Sequence, residues 1–438
     1  MMRRALIVSP HFPPSTLAGV HRGRHLAKHL PSHGWKPIVI RAHEKHYTEN
    51  PDEELGKLVS ASLDQIRTGA LPSRVARVFG VGDIGLRAYF HLARGIAGGV
   101  SRYSPSVILI TGSPFYPMLL AGWVRRRFGL PVVLDFQDPW VSAHGATRPE
   151  WSKGGLAHRL ALALEPKAVR QAAWITSVSD TQNAEMSNRY PWLHAGRMSA
   201  IPIGGDPDDF VALRNCAPVA NGAILLGKIN ICYVGTFLPR AAPVLRMLFK
   251  AVARLRSEAP ELAARLRLIF VGTSNQPSIA VAARATHLVS AIAAEEGVGD
   301  LVYEFPVRAP YLEALSVLAS AQGILLLGSD EPHYTASKIY PALMSGRPWL
   351  SIFHARSSAH AILTRAGGGA SFCFEDENGL ADLVTAAAGA LRRLALEPES
   401  FGSSDSNAYA PYTAHAVAGQ FARIFDTLSL PCGASSAE

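Results

Sequence analysis

The sequence predicts an α/β fold with two parallel-sheet domains facing across a cleft, and two observations carry that expectation. The chain repeats one rhythm, in which a short β-rich apolar run ends in Gly, Ser or Pro and an amphipathic helical stretch follows. Between two such series lies Ile203–Lys228, rich in Gly, Pro, Asp and Asn, as expected of a hinge. The 438 residues suffice for two domains with sizeable cores. At 48% hydrophobic and 18% charged residues, the chain is neither disordered nor fibrous.

In order, the first series places strands near Ala5–Ser9, Ile38–Arg41, Val107–Thr111, Val132–Asp135, Trp174–Val178 and Ser199–Pro202. The second places them near Ile229–Val234, Leu266–Val271, Leu301–Phe305, Gly323–Leu327, Trp349–Ile352 and Ala370–Phe374. Residues 42–106 are less regular and Arg-rich and read as helices and loops without a definite layout. Val417, Phe421, Ile424 and Leu428 have helical spacing, which predicts a terminal helix over 412–430 packing back on the first domain. The expected organisation is therefore 1–205 and 412–430 as one domain, 206–227 as hinge and 228–400 as the second domain.

Charge is uneven. Residues 1–205 hold 25 basic and 13 acidic residues, whereas 206–438 hold 18 and 21, a net of +12 against −3. The first domain should therefore face something anionic, such as a membrane leaflet or a phosphorylated ligand. The arginines are scattered over separate elements without the aromatic interleaving of a nucleic-acid platform, so no nucleic-acid partner is expected. Cys216, Cys232, Cys373 and Cys432 stand far apart, which indicates neither a zinc knuckle nor a disulfide framework and fits a reducing cytoplasm. The start of the chain lacks a signal-length apolar region, and prolines interrupt the apolar stretch Val107–Trp123, so no spanning helix is expected.

Ligands of open parallel sheets bind outside the carboxyl ends of the strands. Three segments stand at such ends. Ser9-Pro10-His11-Phe12-Pro13-Pro14 runs to Gly19 and then into a helix whose first N–H groups could meet a phosphate. Tyr233-Val234-Gly235-Thr236 leads past Arg240, a cation able to clamp a diphosphate, into a second helix. In the third, Ser337 reads as a helix N-cap, with Lys338 projecting from the first turn toward the same kind of anion.

Taken in order, these segments resemble glycosyltransferase family 4, the retaining nucleotide-sugar transferases of the GT-B fold with two Rossmann-like domains. Further pieces of the resemblance are Arg22, Ile110-Thr111-Gly112-Ser113-Pro114, Leu134-Asp135-Phe136-Gln137-Asp138-Pro139-Trp140, Ser177-Val178-Ser179 and Ile201-Pro202-Ile203-Gly204-Gly205-Asp206-Pro207. Phe270-Val271-Gly272-Thr273 and Ser337-Lys338-Ile339-Tyr340-Pro341, continuing to Gly346-Arg347-Pro348, complete it.

The resemblance implies a donor nucleotide on the second domain, an acceptor on the first, and transfer with retention and without a metal or other cofactor. Asp138, Lys338 and Arg240 are then the expected catalytic residues. Gly19, Gly235, Thr236, Gly272, Val307, Arg308, Glu331, Ser337 and Ile339 would hold the donor, and His11, Arg22, Ser113 and Gln137 the acceptor. Chemically, breaking a sugar–phosphate bond puts negative charge on the departing diphosphate, which calls for fixed donors and cations. A carboxylate such as Asp138 suits the developing sugar cation.

This sequence also departs from the family's pattern. His333 and Pro341 stand where the family carries two glutamates, leaving Asp330 or Glu331 as substitutes for the first, and Thr236 stands where an arginine is common. Two motifs are decoys. Gly80-Val81-Gly82-Asp83-Ile84-Gly85 spells a dinucleotide fingerprint without a convincing strand before it, and Asp206-Pro207-Asp208 reads as a turn rather than a metal motif.

The expected function is transfer of a hexose-type sugar from a nucleoside diphosphate to a glycan or lipid-linked acceptor, in polysaccharide or glycolipid biosynthesis. The expected location is the cytoplasm, with peripheral contact to the inner face of the membrane through the basic first domain. A nucleotide-sugar epimerase of the same architecture and a catalytically inactive binding subunit are the alternatives.

Overall fold

A computed structural model describes residues 2–78, 82–214, 222–276, 287–330 and 337–429. The chain divides into two compact units, Met1–Ile203 with Ala414–Glu438, and Gly204–Thr413. The segment 206–227, expected as hinge, includes a helix, Pro207–Leu213, that falls in the second unit.

The first unit holds a seven-stranded parallel sheet in the order β3-β2-β1-β4-β5-β6-β7. Its strands are β1 (Arg3–Val8), β2 (Trp35–Ala42), β3 (Asp64–Thr68), β4 (Val107–Gly112), β5 (Val132–Phe136), β6 (Trp174–Ser177) and β7 (Met198–Ala200). Six of the seven were legible as apolar runs. The exception, β3, has the sequence DQIRT at the sheet's edge, where one neighbour and partial burial remove the need for a continuous apolar run.

Period-two alternation sends successive side chains of each strand into different cores. Leu6, Val8, Ile38, Ile40, Ile108, Ile110, Val132 and Leu134 share one cluster. Ala5, Ile7, Val39, Leu109 and Val133 share another, on the face closed by Val417, Phe421 and Phe425 of the terminal helix Ala414–Ser429. The register Ile7↔Leu109 and Val8↔Ile110 keeps the two sets in line across β1 and β4.

The second unit holds a six-stranded parallel sheet in the order β10-β9-β8-β11-β12-β13. Its strands are β8 (Ile229–Val234), β9 (Leu266–Gln276), β10 (Val302–Val307), β11 (Gly323–Leu327), β12 (Trp349–His354) and β13 (Gly369–Phe374). The helix Ala242–Glu258 covers one face through Leu245, Leu248, Val252 and Leu255. It packs beside Glu377–Leu396, whose Leu391 and Leu394 join the same core.

In each sheet the strand order reverses once, between β1 and β4 and between β8 and β11. At such a point the connections leave toward opposite faces, and a crevice opens at the carboxyl ends of the two strands. Among the described residues no helix is long and apolar enough to cross a membrane.

Phe421 is fully buried between the sheet and Arg22, whose guanidinium carbon lies 5.0 Å from its ring centroid. Phe421→Ala should therefore cost the first unit about 3–5 kcal/mol, read as a lowered urea midpoint without loss of the second unit's transition.

Candidate functional site

The first crevice is built on a carboxylate inside the sheet. Asp135, in the apolar run VVLDF of β5, is fully buried. Its Oδ2 accepts from Arg22 Nε at 3.1 Å and from Thr111 Oγ1 at 2.7 Å, and its Oδ1 from Thr176 Oγ1 at 2.8 Å. Arg22, also fully buried, donates its remaining nitrogens to the carbonyls of Pro202, at 2.8 Å, and Ile201, at 2.5 Å. Paired on every side, the two charges tie β4, β5 and β6 to the helix Val20–His29 and to the chain leaving β7. Arg22, expected on the acceptor, is instead committed to protein.

The network extends outward to Gln137. Its Nε2 donates to Thr111 Oγ1 at 2.7 Å and to the Gly19 carbonyl at 3.1 Å, while its Oε1 has no partner among the described residues. The amide hydrogens that were expected to reach a sugar are thus engaged by protein. The helix after Gly19 also differs from expectation. Val20 and His21 donate their N–H groups to the Leu17 and Ala18 carbonyls, which leaves less of that N-terminus open to an anion.

Around this edge stand the other first-unit candidates. His11 follows β1 and is held at Nδ1 by Glu49 Oε1, 3.2 Å away, and by Ser15 Oγ, 3.3 Å away. Burial would raise the Glu49 carboxyl, but the hydrogen bonds and charge of His11, with Ser15, outweigh it and hold Glu49 down at about 2. Glu49, at the edge of the site, stands in an irregular stretch with no pattern by which to find it. Ser113 is exposed after β4. Asp138 has accessible surface, yet enough protein surrounds its carboxyl for desolvation to push it up to about 6.

In the second unit, the turn after β8 passes through Gly235 at φ +135°, a conformation that side-chain-bearing residues rarely adopt. Lys338 lies along this turn. A Cβ on Gly235 would stand 3.5 Å from Lys338 Cδ and 3.9 Å from its Nζ. The ammonium donates to Tyr233 Oη and sits 3.9 Å from that ring's centroid, while Tyr233 Oη donates to the Thr236 carbonyl at 2.9 Å. Burial pushes the Lys338 ammonium down to about 7.

The structure places Lys338 itself, not Ser337, at the cap of the short helix Ile339–Met344; Ser337 is exposed and Ile339 fully buried in the core. Ile339 thus supports the site from beneath. Arg240 pairs through Nε with Asp330 Oδ1 at 2.8 Å, an exposed ion pair at the ends of β8 and β11. Gly272 turns at φ +74° after the Phe270-Val271 stretch of β9, with the Val307 carbonyl 4.0 Å from where its Cβ would be. Val307 is buried and Arg308 half-buried beside it. Glu331 and His333 lie outside the described residues.

Both decoys resolve as local structure. The segment before the glycine fingerprint is a helix, Ser73–Val78, and Asp83 caps the next turn by accepting from Leu86 N at 2.9 Å; Gly80 and Val81 lie outside the described residues. Asp206 caps the helix Pro207–Leu213, accepting from Asp208 N at 3.2 Å.

Comparison with known proteins agrees with the fold. Residues 18–204 match the glycosyl transferase 4-like domain. No curated protein sequence matches the chain. Among solved structures, the chain is similar to sucrose-phosphate synthase from Thermosynechococcus elongatus, with TM-score 0.61 and 18% identity over 97% of this chain and 99% of that one. It is similar to Anabaena HepE in complex with UDP-glucose, with TM-score 0.59 and 14% identity over 97% and 99%. It is also similar to WaaG, a glycosyltransferase involved in lipopolysaccharide biosynthesis, with TM-score 0.56 and 13% identity over 96% and 99%. Residues 18–204 thus match a glycosyl transferase 4-like domain, and the whole chain shares the two-domain GT-B fold of these structures, as the sequence resemblance implied.

The depressed Lys338 gives a test with a definite sign. At pH 8 the free ammonium, with a value of about 7, is mostly neutral, and an adjoining diphosphate would restore its proton. Binding of UDP at pH 8 should therefore take up close to one proton (~1 at most, for a single titrating group) and weaken as pH rises further. Calorimetry in buffers of different ionisation enthalpy reads this directly, and Lys338→Met should abolish the uptake.

Proposed function

We propose that this chain, whose residues 18–204 are a glycosyl transferase 4-like domain, is a retaining hexosyltransferase that uses a nucleoside-diphosphate sugar. In this reading the second unit holds the donor, the first unit holds a glycan or lipid-linked acceptor, and the product enters polysaccharide or glycolipid biosynthesis. One observation carries the proposal: Lys338 is laid against the Gly235 turn at the strand-order reversal of the second sheet, where a parallel sheet binds its ligand.

The chemistry follows from charge. As the bond between the sugar's C1 and the diphosphate oxygen breaks, that oxygen gains negative charge, and the Lys338 ammonium stabilises it. Arg240, once released from Asp330, adds a second cation; an exposed pair of this kind contributes at most about 1 kcal/mol, so a diphosphate can displace it. Side chains thereby supply the positive charge, and the transfer proceeds without a metal or other cofactor. Gly235, Thr236 and Gly272 let backbone approach the phosphates, and the Val307–Arg308 chain faces the base.

On the acceptor side, Asp138 is ionised above about pH 6 and opposes the developing sugar cation, while His11 and Ser113 contact acceptor hydroxyls. The enzyme works in the cytoplasm, at the inner face of the membrane, where the net +12 of residues 1–205 attracts anionic headgroups.

A second reading, a nucleotide-binding subunit without activity, is favoured by Thr236 and Pro341, which replace a cation and a carboxylate of the family's pattern.

Screening UDP-, GDP- and ADP-sugars by thermal shift identifies the donor, and ligand at 100-fold over Kd should stabilise by roughly 2.7 kcal/mol. Lys338→Ala should lose most of that shift and lower transfer by at least about a hundredfold, the scale for one transition-state electrostatic contact. Gly82→Ala, at a site where an added Cβ meets nothing within 4 Å, should leave both unchanged. Stabilisation without turnover toward any glycan acceptor would favour the inactive subunit, and no stabilisation by any nucleotide would remove both readings.

A further inference from the structure

The helix Lys153–Val169 turns an apolar face to solvent. Its inner side is Gly155, Ala161, Glu165, Ala168 and Val169. On the outer side, Leu156 and Leu160 are 49% and 44% exposed at a spacing of four, which puts them on one stripe. Leu162 is exposed on the flank, and Trp151, just ahead of the helix, is 82% exposed. Leucines and a tryptophan left in water in this density mark a surface that meets something apolar.

Charge on the same face has one sign. Lys153, Arg159 and Lys167 are exposed along it, and the Arg159 guanidinium lies 5.7 Å from the Trp151 ring centroid. The helix's one acid, Glu165, points inward, accepting from Tyr190 Oη at 2.8 Å and from Arg189 at 3.1 Å. From 148 to 170 the only exposed acid is Glu150. The neighbouring helix Leu120–Phe128 packs against this one and ends in three exposed arginines, Arg125, Arg126 and Arg127.

We propose that this face is the surface on which the chain lies against a bilayer containing anionic lipid. Trp151, Leu156 and Leu160 enter the boundary between headgroups and acyl chains, while Lys153, Arg159 and Lys167 meet headgroup phosphates. A second copy of the chain fits the face poorly, because two identical basic surfaces would bring like charges together. The proposal rests on the membrane part of the functional reading and names the surface responsible; none of these residues belongs to the sugar-transfer machinery.

The test is flotation of the full chain with vesicles of phosphatidylcholine alone and of phosphatidylcholine with phosphatidylglycerol. The chain should float with the anionic vesicles at low salt, not with the neutral ones, and binding should fall as salt shortens the Debye length. The double variants Leu156→Ser/Leu160→Ser and Arg159→Ser/Lys167→Ser should each reduce the bound fraction at least about fivefold, with unchanged melting temperature because the residues are exposed. Wild-type protein that stays with the pellet would overturn both this proposal and the membrane location. Variants that float as well as wild type would overturn this surface and leave the location standing. Self-association of the wild type, lost in the leucine variant, would assign the face to a second copy and overturn the proposal. Thermal stabilisation by a nucleotide sugar, measured in parallel on the same variants, reports separately on sugar transfer.

Discussion

Strands buried on both faces leave a parallel sheet almost nowhere to carry polar chemistry except the ends of its strands. In this protein a fully buried carboxylate, Asp135, nevertheless sits inside the sheet, and the consequences organise the first unit. A buried carboxylate is tolerable only when paired and hydrogen-bonded. Arg22, Thr111 and Thr176 do this, and each comes from a different element. The network therefore fixes the relative positions of β4, β5, β6 and the helix Val20–His29 more sharply than apolar packing alone would. Gln137 inherits its orientation from it, since Thr111 gives its hydroxyl hydrogen to Asp135 and can only accept from the amide.

The second unit solves a related problem with the opposite charge. Lys338 is held by a tyrosine ring and hydroxyl, and burial is the cause of its depressed pKa. A cation kept this way is poised: it is easily neutralised when the site is empty and regains full charge beside an anion. Arg240 represents the other solution, an exposed ion pair with Asp330 that costs little to exchange.

The sequence showed twelve of the thirteen strands because an interior parallel strand must be a run of apolar residues, and the two sheets consist mostly of such runs. It hid β3, whose edge position relaxes the rule. Gly235 and Lys338 were visible as motif residues, but their contact joins positions 103 residues apart, and only the strand order β8-β11 brings those segments together. Arg22 was misread for the same reason. An arginine beside a glycine-containing helix start looks like an anion ligand, and nothing local reveals that Asp135, Ile201 and Pro202 already occupy it. Glu49, in the irregular stretch after β2, had no periodicity to single it out. Local chemistry was legible; which partner had already claimed each group was not.

The terminal helix carries a consequence for how the protein is made. The sheet face of Ala5, Ile7, Val39, Leu109 and Val133 is closed by Val417, Phe421 and Phe425, which leave the ribosome more than two hundred residues after the last strand of that sheet. At elongation of about 5–20 residues per second, that face waits roughly ten to forty seconds for its cover. During this interval the nascent first domain exposes a broad oily surface, which makes it a natural client for chaperones, whereas the second domain contains its whole core and can close before the chain is released.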